Sequence, residues 1–284
     1  MARVDLPASR VRARRRRRRI ILISIAVVLV ALVLGGLVWL SHAPFLRITT
    51  ITVSGDQTLS DATVQAAVQS QISGSFWRLF AKSNIFLYPK THIEEALPAA
   101  MPVIASAEVH AVNFHTIAVT VVERQPKALW CGESADASSS NCLLLDQSGV
   151  AYAPAPFSIA GSSGDYKRYY GALSGSQPQQ YLTADQFSTL SALVDALVQN
   201  QFNNPIESVE VDPASDVRVT FAGNFVLLFT LSSAGADVYE RFTLALGSDA
   251  FSGHALSDFE YLDLRFGDRL YYKVKDSETP VKSN

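Results

Sequence analysis

Residues 20–40 read IILISIAVVLVALVLGGLVWL, 21 positions without a charge, and six consecutive arginines, Arg14 to Arg19, abut the front of that run. No other feature restricts the chain as much. At about 1.5 Å rise per residue, the run is ~31 Å long as a helix, which matches the hydrocarbon thickness of a bilayer. Trp39 falls at the far end, where an indole favours the interface. The arginines hold the near end in the cytoplasm by the positive-inside rule, so the body of the chain is expected across the membrane. A cleaved signal peptide is the main rival, because Ser41, His42 and Ala43 carry small residues at cleavage spacing. Against it, such peptides have an apolar core of roughly 7–15 residues, and Pro44 would follow the cut. A nuclear-targeting or RNA-binding patch would explain the arginines and leave the run behind them unexplained. Ala31 and Gly35 make a small-xxx-small step that offers a seat to another helix.

Charge divides at the same place. Nine arginines against one acid, Asp5, lie in residues 1–40, while 41–284 hold 15 basic and 25 acidic residues, a net of −10. An acidic body argues against a nucleic-acid surface, since phosphate calls for the opposite sign. With 48% hydrophobic and 18% charged residues the chain can build packed cores. Its 284 residues leave room for one large domain or two small ones. Two cysteines are too few for a disulfide-scaffold miniprotein or a four-cysteine zinc site. Cys131 and Cys142 bracket a polar loop flanked by the apolar runs ALW and LLL. In an oxidising compartment they can bridge, at a gain of about 3 kcal/mol in the chain-entropy model. Two unpaired thiols are the alternative.

Beyond the apolar run the pattern reads strand, helix, helix, strand, strand. Phe45, Ile48, Ile51 and Val53 lead into Gly55. Ser60 is a helix N-cap with Asp61 in the first turn, and Val64, Ala67, Val68, Gln71 and Ile72 follow at helical spacing. Thr91 and Glu94 read as a capping box, and Pro98 ends or kinks the helix that follows. Two strands are predicted over 104–114 and 117–122, the second with Ile117, Val119 and Val121 on one face.

After Pro126 the chain turns β-rich, with two strands around Gly149. Residues 153–180, rich in Ala, Gly, Ser and Pro with YKRYY embedded, read as a long loop, with Gly161-Ser-Ser-Gly164 as a flexible stretch. A helix opening at Thr183 carries Phe187, Leu190, Leu193, Val194, Leu197 and Val198 as one apolar stripe. Strands are predicted at 206–211, 217–221 and 225–231, then a helix over 234–246. Residues 259–266, FEYLDLRF, alternate Leu262, Leu264 and Phe266 with Tyr261, Asp263 and Arg265. Gly267-Asp268 suits a two-residue hairpin loop, and RLYYKV over 269–274 returns as the second strand. If nothing pairs beyond it, that strand is an edge able to accept a strand from another chain.

The order of these parts resembles the bacterial cell-division family FtsQ/DivIB. The entry F-x-x-I-x-x-I-x-V-x-G is matched by Phe45, Ile48, Ile51, Val53 and Gly55, and V-x-V-x-E-R-x-P by Val119, Val121, Glu123, Arg124 and Pro126. Leu144, Asp146 and Gly149 match L-x-D-x-x-G, and residues 261–266 (YLDLRF) resemble the family's Y-V-D-L-R-Y. The resemblance implies an α+β chain with a basic cytoplasmic tail (1–19), a transmembrane helix (20–40), a POTRA-like βααββ domain (45–125) and an FtsQ-type β domain (126–275). A disordered tail, 276–284, closes it.

The resemblance also implies a noncatalytic scaffold at the division septum. Its partners would be FtsB/DivIC-like and FtsL-like coiled-coil membrane proteins and, through that complex, the septal peptidoglycan synthases. By matched position, partner contacts would come from Arg265, Phe266, Leu270, Tyr271, Tyr272 and Lys273, with Tyr239 and Arg241 from the preceding helix. From the residues alone Phe266 serves equally well as core, and the alternating hairpin side chains as a solvated face. Glu123 and Arg124 read as a structural ion pair or interdomain contact.

Catalytic patterns do not emerge. His42, His92, His110, His115 and His254 lack H-E-x-x-H or other ligand spacing, and no G-x-S-x-G, S-x-x-K, P-loop or dinucleotide fingerprint occurs. No metal or cofactor is expected. Two other functions compete: a POTRA-type chaperone or translocation module, and a membrane-anchored cell-wall enzyme.

Overall fold

Residues 8–55, 58–135, 141–156, 166–176, 178–199, 204–267 and 269–275 are described by a computed structural model. The tail 276–284, Asp268 of the hairpin turn, the stretch 161–164 and the middle of the cysteine-bracketed loop lie outside the described residues. Helix α1 (Ala8–Ser41) takes in the arginine run as well as the apolar one. Arginine is a strong helix former, so nothing in that run stops the helix where the apolar residues begin. The portion Arg15–Ser41 is long and apolar enough to cross a membrane, and none of its apolar window is buried within the protein.

The chain then forms two units, the first ending at Glu123 and the second starting at Arg124 but also taking Met101–Val103. The first holds β1 (Thr50–Ser54), α2 (Asp61–Ile72), β2 (Ser75–Phe76), β3 (Phe80–Ala81), α3 (Lys90–Ala100), β4 (Ile104–Asn113) and β5 (Thr116–Glu123). Its main sheet runs β1-β5-β4, with β1 parallel and β4 antiparallel to β5. Ile117, Val119 and Val121 on one face of β5 meet Val64, Val68 and Ile72 of α2 and Ile93 and Leu97 of α3 in a buried layer. Ser60 caps α2 by accepting from the Thr63 amide at 3.4 Å. Gly55 sits at φ +91°, and a Cβ there would overlap the Val121 carbonyl oxygen, so only glycine lets β1 leave the sheet at this point.

Three local readings are corrected. Thr91 lies inside α3 and forms no cap; Glu94 instead accepts the Val109 amide at 2.8 Å and pairs with Lys90. Pro98 does not end α3, which continues to Ala100, because only the last turn has to absorb the missing N–H. Glu123 and Arg124 do not pair with each other. The buried Glu123 carboxylate accepts from the Thr58 amide and hydroxyl and the Leu59 amide at 2.7–3.1 Å, whereas Arg124 pairs with Asp146 and donates to the Pro102 carbonyl. Each residue thus fastens its own unit. The short β2–β3 hairpin has no counterpart in the sequence pattern, being only two residues on each side.

The second unit is built on one sheet of ten strands. In chain order they are β6 (Pro126–Trp130), β7 (Leu143–Asp146), β8 (Val150–Pro154), β9 (Arg168–Tyr170), β10 (Gln179–Gln180), β11 (Ile206–Val211), β12 (Asp216–Phe221), β13 (Phe225–Thr230), β14 (Phe259–Phe266) and β15 (Arg269–Val274). Their spatial order is β10-β8-β7-β6-β9-β11-β12-β13-β14-β15. Two helices cover it, α4 (Ala184–Gln199) after β10 and α5 (Ala236–Leu246) after β13. Phe187, Leu190, Leu193, Val194 and Leu197 of α4 and Val238, Phe242 and Ala245 of α5 join Phe221, Phe225, Phe229 and Phe259 in one core. Val198 points outward and drops out of the predicted stripe.

The long-loop reading of 153–180 is also corrected. Its YKRYY motif supplies β9, which pairs parallel to both β6 and β11 near the middle of the sheet, with Tyr169 buried. Three residues are too few to display an alternating pattern. Cys131 and Cys142 form a disulfide joining the end of β6 to the start of β7.

Candidate functional site

The sheet ends on β15, and among the described residues no strand pairs on its far side. All six of its residues are exposed. The register Leu262↔Tyr272 and Asp263↔Tyr271 is followed by a shift that brings Phe266 opposite Arg269, so the hairpin end is irregular. Beneath β15 the support is rigid: Tyr272 packs on Phe251 and Phe259 at ring distances of 5.3 and 6.0 Å. Leu270, Tyr271, Tyr272 and Val274 nevertheless keep 41–47% of their surface exposed. Lys273 reaches back to Glu260 at 2.5 Å.

Phe266 is not core. It is 55% exposed, with the Tyr271 ring edge-on at 5.2 Å and the Arg265 guanidinium 5.7 Å from its ring centre. Its place in the strand alternation suggested the same face as Leu262 and Leu264; the register shift after Asp263 turns it outward. Arg265 is fixed from below. It donates to Asp263 through Nε and Nη2 and to Asp216 on β12 at 2.5 Å. Burial alone raises the Asp263 carboxyl, but the side-chain and backbone donors of Arg265 outweigh it and hold the group below its ordinary range. The hydrogen bonds that Arg265 donates to Asp263 and Asp216 raise its guanidinium in turn, so the pair stays charged. Arg265 therefore serves as a clamped platform under Phe266.

From α5, Arg241 donates to the Gly267 carbonyl in the hairpin turn and pairs with Asp237 at 3.8 Å. Tyr239, two residues earlier and so on another face of α5, lines a mainly apolar cavity of about 520 Å³ between α4 and α5 with Ser188, Ala192, Ala196 and Gly235. Of the two helix residues picked from the sequence, Arg241 reaches the hairpin turn, whereas Tyr239 faces the cavity between the helices. Sequence reasoning missed Asp216 and Phe251, which hold the hairpin from outside its own motif. It also missed the small-residue row Ser188, Ala192, Ala196, whose i, i+4, i+8 spacing on α4 was a readable signal.

Among the described residues no group of three His, Cys, Asp or Glu side chains stands close enough to hold a metal ion. The described residues thus combine an apolar helix long enough to cross a membrane, a small α/β unit and a sheet with an open, aromatic-faced edge. Residues 46–124 match the family model of the POTRA domain, FtsQ-type, and together with the N-terminal apolar helix this match supports a likeness to FtsQ/DivIB proteins. That match supports a divisome-associated protein, and the N-terminal helix is long and apolar enough to cross a membrane. No curated protein matches the chain.

Proposed function

We propose that the chain is a noncatalytic scaffold of the division septum, with its N-terminus in the cytoplasm. Outside the membrane it takes a strand of an FtsB/DivIC-like coiled-coil membrane protein along β15. An FtsL-like companion joins the same complex, which in turn helps control septal peptidoglycan synthases. The position of β15 as last strand of a ten-stranded sheet carries this reading. Main-chain hydrogen bonds to an edge give affinity, and alternating side chains give register. Phe266, Leu270 and Tyr271 supply apolar surface at the turn end of this edge, and Arg241 holds the turn to α5.

The test is capture from native membranes by the tagged full chain, beside a Leu270→Asp, Tyr271→Asp double variant. These side chains are exposed, so their replacement leaves the core intact. Wild type is expected to retrieve a small single-pass coiled-coil protein and the variant to lose it. Equal capture by both refutes strand addition at this edge, and no such protein with either refutes the scaffold reading.

A further inference from the structure

Exposed aromatic surface occurs at a second place, unrelated to the hairpin. In the first unit Phe45, Trp77, Leu79, Phe86 and Phe114 are all more than half exposed, and Trp77 reaches 86%. They occupy three segments that hydrogen bonds fasten to the end of α1. The Ala81 amide of the β2–β3 hairpin donates to the Ser41 hydroxyl at 3.4 Å, and the buried Asn84 side chain donates to the Ser41 carbonyl at 3.1 Å. Ile48 and Ile85 amides tie the segment after α1 to the same loop at 2.8 and 2.9 Å. The β4–β5 turn joins through His115, which meets the Arg47 carbonyl at 3.3 Å and accepts the Thr49 amide at 2.9 Å. Whatever depth fixes Leu40 in the bilayer therefore fixes these loops too.

Chain length bounds how far these loops can stand from the helix end. Ser41 directly follows the apolar run. Arg78, at the hairpin tip, is three residues from Ala81, so it lies within about 10 Å at ~3.3 Å per residue. The headgroup zone beyond the hydrocarbon is roughly 5–8 Å deep on each side.

Charge agrees. Residues 41–55, 62–93 and 109–122 contain Arg47, Arg78, Lys82 and Lys90 and not one Asp or Glu, in a body whose net charge is −10. The turn itself is also unusual. Trp77 and Arg78 both adopt positive φ, +47° and +61°, with the Leu79 amide donating to the Phe76 carbonyl at 2.9 Å. Such a turn favours Asn-Gly on conformational grounds alone. A bulky indole and a guanidinium held there against backbone preference indicate that their side chains are what the turn presents.

We propose that this end of the first unit is a bilayer-docking face. The aromatic side chains rest in the interface as a belt around the exit of α1, and Arg47, Arg78 and Lys82 meet anionic lipid phosphates. The unit is thereby held against the membrane surface rather than swinging from a single helix. The proposal does not depend on strand capture at β15.

The experiment uses the full chain in nanodiscs of phosphatidylcholine and phosphatidylglycerol, plain or brominated on the acyl chains near the headgroup. The chain has three tryptophans, and subtracting the Trp77→Phe emission from wild type isolates Trp77, with Trp39 as internal control. The Trp77 signal is expected to be blue-shifted and to lose most of its intensity in brominated discs. An unchanged Trp77 signal while Trp39 is quenched overturns the proposal. Protection of Trp77 that arises only on adding other membrane proteins also overturns it, placing a protein on this face. Reversing charge with Arg78→Glu and Lys82→Glu is expected to reduce quenching in discs containing phosphatidylglycerol and not in phosphatidylcholine alone; equal loss in both removes the phosphate contacts.

Discussion

Truncating Phe266 to alanine separates a partner anchor from a core residue. The side chain leaves 55% of its surface exposed. For a ring of about 200 Å² this is ~110 Å² available to a partner. Covering it at about 25 cal/mol per Å² contributes ~2.8 kcal/mol, close to a 100-fold change in Kd at ~1.4 kcal/mol per decade. The free protein already covers the remaining ~90 Å², in part through Tyr271 and Arg265, so its stability should fall by about 2 kcal/mol. A core phenylalanine would cost ~3–5 kcal/mol and leave the affinity of the surviving folded protein unchanged. Two measurements on the full chain in micelles decide: titration calorimetry with the captured coiled-coil partner, and thermal unfolding. An affinity change below about threefold with the fold intact would mean that partner burial at Phe266 has been misjudged.

Other expectations follow from the same structure. Asp263 binds its proton less readily folded than unfolded. Its contribution is therefore complete above the unfolded-state pKa of about 3.9 and is lost as pH falls through the lower folded value. Acid unfolding followed by tyrosine absorbance should become shallower in Asp263→Asn, and an unchanged profile counts against the Arg265 clamp. Cys131→Ser with Cys142→Ser opens a loop of separation 11 and should lower the stability of the second unit by about 3 kcal/mol in urea titration. Gly55→Ala forces a Cβ against the Val121 carbonyl at positive φ and should destabilise the first unit by roughly 2 kcal/mol, read by hydrogen exchange of the β5 amides. Loss of protection in β12 instead would contradict that assignment.

What the sequence disclosed followed the reach of its signals. The apolar run of α1 is unbroken over 21 residues, and the β5 alternation and the α4 stripe repeat over many, so each was readable, although α1 starts earlier at Ala8 and Val198 leaves the stripe. The hairpin was legible as two strands and a turn. The direction of Phe266 was not, because one register shift reverses the face of a side chain and no local pattern announces it. Asp216 and Arg265 are 49 positions apart, and nothing in the spacing couples them. Thr91 and Glu94 had the letters of a cap, yet a tertiary acceptor role at Val109 claimed the carboxylate. Strand β9 was hidden by brevity, its environment coming wholly from neighbours distant in the chain.

That hidden strand divides the large sheet in time as well as in space. On one side stand β6, β7 and β8, a meander of near neighbours; on the other stand β11, β12 and β13, equally local in sequence. Only three residues bridge them. During synthesis the first meander emerges with β6 as an open edge and keeps that edge until the segment around Tyr169 arrives and the second meander closes over it. Until β9 is in place the inner side of β6 has no partner, and at that stage an interior edge is open to the wrong strand. The disulfide between Cys131 and Cys142 closes within the first meander, so it can be made before that stage ends. Mispairing at β6 is the hazard this architecture has to outrun, and substitutions at Tyr169 would lengthen the exposure.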